Sequence, residues 1–234
     1  MFLGHYGIAF AAKRAAPRTS LGALTFAAEF LDELWPILLL IGVEQVRIVP
    51  GLMATSPLDF VSYPYSHSLL MAFVWGAVIG GVYFMLRRYG RGAWVLAILV
   101  VSHWFLDVPM HRPDLPLWPG SSSPKVGWGW WNSVAITYSI EIGIYVVGIW
   151  LYMRATRARD RIGSWGLWAY VLVLAASFFG AGFGPPPPTS RALAWSTMAI
   201  WLFLPWAWWV DRHRELTAFA SEGDNGNRTL PAAG

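Results

Sequence analysis

Long apolar runs, repeated along the chain and set off by arginine clusters, most narrow what this sequence can become. Runs of about 18 or more mainly apolar residues are long enough to cross a bilayer as helices. Six such runs are read here: Leu21–Val43, Ser66–Leu86, Gly92–Val108, Asn132–Met153, Ser164–Phe183 and Arg191–Val210. Phe2–Ala12 is apolar too, but only half long enough to cross. Backbone polar groups inside a bilayer must be satisfied within the protein, so repeated spans of this length fold as helices. The fold class expected is all-α, an integral membrane bundle of about six transmembrane helices with a short N-terminal half-helix. Charged residues make up only 13% of the chain, about half their usual share in soluble domains. Residues 1–219 are read as a single transmembrane helical domain, and the polar, small residues 220–234 as a disordered tail.

Charge sets the expected orientation. Lys13, Arg14 and Arg18 precede the first full span. Arg87, Arg88 and Arg91 lie between the second and third, Arg154 to Arg161 between the fourth and fifth, and Arg212 and Arg214 after the sixth. Basic residues of short loops favour the cytoplasmic side, so a cell-membrane protein with both termini in the cytoplasm is expected. The net charge of +4 comes mostly from these clusters and points to orientation, with no nucleic-acid partner expected. The chain has no cysteine, which excludes disulfides and thiolate metal sites. The sixteen tryptophans fit interfacial belts beside membrane lipid, and Trp128-Gly129-Trp130-Trp131 reads as such an anchor. Glu44–Tyr65 reads as a mixed, partly helical loop.

Ionisable residues inside the spans need a reason to be there. Glu29, Asp32 and Glu33 lie at i, i+3 and i+4, on one face of a helix. A charge at the centre of a span costs about 2.5–3.5 kcal/mol on insertion scales and usually faces a cavity or a partner. Three crowded carboxylates call for a cation, an arginine or protonation. His103 and Asp107 are four residues apart near the end of the third span, where an imidazole and a carboxylate are neighbours and can share one metal ion. A helix-terminal ion pair is the alternative. At 1.5 Å per residue, His103 lies roughly 16 Å and Asp107 roughly 22 Å from the cytoplasmic end of their span, with Asp32 roughly 18 Å and Glu141 roughly 20 Å deep in theirs. The half-helix lifts His5 roughly 12 Å into the bilayer. These groups converge on the outer half of the membrane. His67 opens the second span, with Ser66 as its expected N-cap. Pro109 is expected to end the third span near Asp107, which leaves His111 off the shared face. Arg112 can pair with an anionic substrate or with Asp114.

In order, Gly4-His5-Tyr6-Gly7, the acidic Phe30-Leu31-Asp32-Glu33-Leu34, Ser66-His67-Ser68-Leu69 and Ser102-His103 with Asp107 resemble an inner-membrane metal-dependent hydrolase family, the LexA-binding, inner membrane-associated hydrolase-like proteins. The resemblance covers roughly the first 120 residues. Leu31 stands where that family has proline, Leu34 where it has a second acid, and Ser62-Tyr63 where it has His-Arg.

The resemblance implies a metal site more firmly than a substrate, with His5, Asp32, His67, His103 and Asp107 as ligands. Mixed nitrogen and oxygen ligation suits a divalent transition metal, zinc first, with manganese or iron also suited. Glu29, Glu33 or Glu141 is the expected proton acceptor, and Arg112 the expected contact to substrate. The leading expectation is a membrane-embedded hydrolase of a lipid-like or phosphoester substrate. The alternatives are a proton- or cation-coupled permease using the same acids and histidines, and a structural membrane protein without catalysis.

Overall fold

The computed structural model describes Met1–Thr217; the tail expected at residues 220–234 lies outside the described residues. Helices dominate. The half-helix α1 (Leu3–Ala15) leads through a short turn to α2 (Leu21–Leu40), which Ser20 caps by accepting the Ala23 N–H at 3.2 Å. Then come α3 (Pro64–His67), α4 (Leu69–Arg87), α5 (Gly90–Met110) and α6 (Val134–Ala155). The segment Ile162–Phe183 begins with a widened turn and continues as α7 (Leu167–Phe183). The segment Ser190–Arg212 contains α8 (Ser190–Thr197), a tighter turn and α9 (Phe203–Arg212). Among the described residues, five segments are long and apolar enough to cross a membrane: α4, α5, α6, Ile162–Phe183 and Ser190–Arg212. At 20 residues α2 matches them in length, and it differs from them in carrying Glu29, Asp32 and Glu33.

Small residues set how closely the helices approach. A side-chain carbon on Gly7 of α1 would stand 2.6 Å from the Ile144 carbonyl oxygen of α6, and one on Gly148 would collide with the Gly7 backbone. The half-helix therefore lies directly on the backbone of α6. Gly76 and Gly80 do the same for α4, where added carbons would meet the carbonyl oxygens of Ala97 and Ala93 on α5 at 2.8 Å. Such close backbone approach is a usual route to helix association in lipid. Two apolar clusters result. One gathers α2, α4 and α5 around Leu24, Leu31, Ala72 and Val100; the other gathers α1, α6, α7 and α9 around Tyr6, Phe10, Tyr145, Tyr170 and Val210.

The arginine and lysine clusters that flank the spans collect at one end of the bundle, while Arg47, Arg112 and Lys125 lie with the strands at the other. Arg18 lies over the Tyr89 ring, and Tyr83 donates to Thr19, joining the α1–α2 turn to the α4–α5 turn. Lys13 is buried; its ammonium donates to Asp211 at 2.7 Å and to the Thr19 carbonyl at 3.0 Å. Short strands β5 (Thr156–Ala158) and β6 (Arg214–Leu216) pair where α6 and α9 end. The start of α1 lies away from that end, and the amino group of Met1 is buried against the Asp107 carboxylate.

The opposite end departs from the sequence reading. Glu44–Tyr65 is mainly a hairpin rather than an irregular loop: β1 (Gln45–Ile48) and β2 (Leu58–Ser62) pair antiparallel, with Val46 facing Phe60, and only Pro64 and Tyr65 are helical, at the start of α3. Gly42 and Gly51 adopt φ of +75° and +79°, which lets the chain turn out of α2 and after Pro50. Leu115–Pro116 and Lys125–Val126, strands β3 and β4, close the loop after α5. The second span also starts later than expected. Ser68, not Ser66, caps α4 by accepting the Met71 N–H at 3.3 Å. The extended backbone at Ser68, φ −84° and ψ 148°, separates α4 from the single turn α3 that carries His67.

Candidate metal centre

The centre sits where α1, α2, α3 and α5 meet, and each helix contributes to it. His5 comes from α1, Asp32 from α2, His67 from the end of α3, and His103 and Asp107 from successive turns of α5. All but Asp32 are buried; the Asp32 side chain keeps 26% of its surface exposed. Their donor atoms fall into two overlapping trios, His5–His103–Asp107 and Asp32–His67–His103, with the atoms of each trio within 4.8 Å of one another. The His5 and His103 rings stack at 3.6 Å between centroids.

The second nitrogen shows how His103 and His67 are held, whereas His5 Nδ1 is buried without a hydrogen-bond partner. His103 Nδ1 lies 2.7 Å from the Ala28 carbonyl oxygen. Since a carbonyl only accepts, Nδ1 carries a proton, and the ring turns Nε2 toward the carboxylates. That atom stands 3.3 Å from Asp107 Oδ2 and 3.8 Å from Asp32 Oδ2, and has no hydrogen-bond partner.

His67 is held the same way. Ser66 Oγ donates to Glu44 Oε2 at 2.6 Å, so it accepts from His67 Nδ1 at 2.7 Å. His67 Nε2 then faces Asp32 Oδ1 at 3.2 Å and Asp107 Oδ2 at 3.9 Å. Glu44 also accepts the Tyr65 and Ser66 N–H groups, both at 2.8 Å. Burial raises the Glu44 pKa, partly offset by these donors.

A fourth imidazole, that of His111, joins those of His5, His67 and His103. Pro109 removes only the N–H that would bond to Phe105, and α5 runs on to Met110, with the His111 N–H on the Asp107 carbonyl at 2.9 Å. The helix does not end near Asp107. His111 Nε2 therefore comes to 3.8 Å from Asp107 Oδ2, and its Nδ1 lies 3.0 Å from Asp114 Oδ1. Tyr63 donates to the same oxygen at 2.7 Å. Trp131 packs on the His111 ring at 4.3 Å, and its carbonyl accepts from Thr55, so it belongs to the site wall as well as to the aromatic cluster near it. The spacing of His103, Asp107 and His111 was the available signal for this fourth ring. Glu44, Tyr63 and Asp114 had none, because they arrive from elements outside the spans.

The remaining candidates separate by their surroundings. Both carboxylate oxygens of Glu29 are buried without a hydrogen-bond partner, and the residue lines a cavity beside Asp32. Glu33 is equally unpartnered but is not among the residues lining that cavity. Glu141 accepts the Phe2 and Gly4 N–H groups at 2.9–3.0 Å and so holds the start of α1. Arg112 pairs with Asp59 of β2 and with Asp114, and it too is absent from the cavity lining. The cavity encloses about 730 Å³. Asp32, His67, Asp107 and His111 line it together with Glu29 and Glu141, while Trp35, Phe60, Phe178 and Phe203 supply apolar wall. Exposed Pro50, Gly51, Pro185 and Pro186 also line it, so it opens at the surface.

Comparison with known families matches residues 5–183 to the family described as YdjM inner membrane protein. The chain belongs to that family. The match begins at His5 and covers every residue of the centre, and the apolar helices agree with the membrane location in the family's description. That description carries no reaction. No curated protein and no solved structure matches the chain.

Proposed function

We propose that the protein is a metal-dependent hydrolase embedded in the membrane, with His5, Asp32, His67, His103 and Asp107 holding a divalent transition metal. One observation carries this reading: two buried imidazoles, each with its Nδ1 proton engaged, aim Nε2 at two carboxylates. Each Nε2 and carboxylate so placed needs a cation between them, a ring proton or a metal ion, and this reading assigns the metal ion. Metal-binding histidines are held in this way, donating their other N–H to a fixed acceptor. The donor set of imidazoles and carboxylates suits zinc, with manganese or iron also suited.

When bound, such an ion acts as a Lewis acid that polarises the scissile group and makes a neighbouring water more acidic. The chain's own residues do the rest. Glu29, unpartnered at the cavity wall, accepts the proton of the attacking water and returns it to the departing alcohol. The apolar wall holds the hydrophobic part of a lipid-like ester or phosphoester and keeps bulk water out. With the basic end in the cytoplasm, the cavity opens toward the outer side.

The test uses purified protein in detergent and a short-chain fluorogenic phosphodiester and carboxylic ester. Turnover of either that stops on chelation, returns with Zn²⁺ or Mn²⁺, and is absent in His103→Ala supports the reading. Metal-loaded protein that hydrolyses neither, yet moves protons or cations across liposomes in an Asp32-dependent way, overturns it in favour of a permease.

A further inference from the structure

Building on the metal-centre reading, we infer that the centre holds two divalent ions rather than one, bridged by Asp107 and with His111 as a ligand of the second. The donors outnumber the needs of one ion. A structural or catalytic zinc takes about four ligands. Here four imidazole Nε2 atoms, those of His5, His67, His103 and His111, surround Asp107 within 3.2–3.9 Å of its carboxylate oxygens. Asp32 adds a second carboxylate, 3.2 Å from His67 and 3.8 Å from His103.

The two trios also compete for one atom. Each uses His103, whose Nδ1 is committed to the Ala28 carbonyl, leaving only Nε2 to bind. One nitrogen lone pair serves one ion. If His103 joins His5 and Asp107, the Asp32–His67 pair needs a further donor; His111 lies outside both trios, and its Nε2 reaches the cluster through Asp107 Oδ2 at 3.8 Å, so the second ion draws it in.

Asp107 is placed to join the two sets. Its Oδ1 faces His5, and also receives the Met1 amino group; its Oδ2 faces His67, His103 and His111. A carboxylate with imidazoles on both oxygens suits a bridging ligand. His111 is supported as fully as the other ligands: Asp114 holds its Nδ1, Tyr63 holds Asp114, and Trp131 and Phe60 pack on its ring. A histidine placed only to close the helix end would not need its Nε2 free and turned inward. Paired-metal hydrolytic sites stabilise the attacking and the leaving oxygen together, so the inference narrows the substrate toward phosphoesters.

The experiment measures metal content of full-length protein without a polyhistidine tag, loaded with Zn²⁺ or Mn²⁺ and freed of excess metal on a desalting column. Two ions per chain are expected, with an exchange-coupled electron paramagnetic resonance signal from the Mn²⁺ form. His111→Ala, checked for folding by its helical circular dichroism, is expected to fall to one ion and lose the coupled signal. One ion in the wild type overturns the two-ion centre and leaves the hydrolase reading standing; no ion overturns both. Two uncoupled ions contradict the Asp107 bridge. Folded His111→Ala that keeps two ions, or loses both, contradicts the role given to His111. The wild-type count decides the matter even if the variant fails to fold.

Discussion

His103 Nε2 stands 3.3 Å from Asp107 Oδ2, one turn further along the same helix, without making a hydrogen bond to it. The Ala28 carbonyl holds the ring's other nitrogen, so Nε2 and the carboxylate face each other inside the protein. Much of the proposed chemistry follows from how the surroundings enforce that opposition.

The Glu44–Ser66–His67 chain gives the first prediction. Ser66→Ala removes the acceptor on His67 Nδ1 while leaving the imidazole in place. Loss of such a supporting partner weakens metal binding about 10–100-fold. A competition titration with a chromophoric zinc chelator should show that drop, and Glu44→Gln should show a smaller one. Unchanged affinity in Ser66→Ala would mean that the His67 tautomer is not set here.

Glu29 and Glu141 should behave differently despite facing one cavity. Glu29→Gln removes an unpartnered carboxylate, so metal should remain bound while turnover falls about 10²–10⁴-fold, the usual share of a general base. Glu141→Gln weakens the bonds that hold the Phe2 and Gly4 N–H groups, with a cost of about 1 kcal/mol. Its thermal midpoint should fall with turnover largely retained. The reverse pattern would exchange their roles.

Gly148 is where the half-helix rests on α6. Gly148→Val places side-chain carbons against the Gly7 backbone, and overpacking of this kind costs about 1–3 kcal/mol. Because α1 carries His5, the variant should lose thermal stability and part of its metal affinity together. Stability lost with affinity intact would show that His5 does not help bind the ion.

The absence of cysteine makes topology directly measurable. With the basic end in the cytoplasm, a single cysteine at Ser122 should react in intact cells with a membrane-impermeant maleimide. One at Arg159 should react only after lysis. Reaction at Arg159 in intact cells would invert the orientation and turn the cavity inward.

What the sequence could convey depended on whether the interactions were local. The spans follow from run length, and the His103–Asp107 neighbourhood from helical spacing, because both are fixed within a few residues. The β1–β2 hairpin was hidden because the polar, proline-containing segment Glu44–Tyr65 lacks a clean alternation, and its strands are defined mainly by pairing with each other. His111 was set aside on the rule that proline ends a helix, yet Pro109 lies in the last turn, where one lost hydrogen bond is tolerated. Ser66 resembled a cap in sequence, but Glu44 claims its hydroxyl from the far side of the hairpin, and Ser68 takes the cap. The carboxylates of Glu29, Asp32 and Glu33 share one helical face by spacing. Only the packing of α1 and α5 against α2 directs Asp32 to the histidines and leaves Glu33 out of the cavity lining.

The most direct test is calorimetric titration of Zn²⁺ into metal-free protein, comparing wild type with the His67→Ala/His103→Ala double variant. The wild type should bind tightly and release protons, while the folded double variant, stripped of two imidazoles, should show no tight binding. Zinc bound with equal affinity by both proteins would contradict a metal centre built on these histidines.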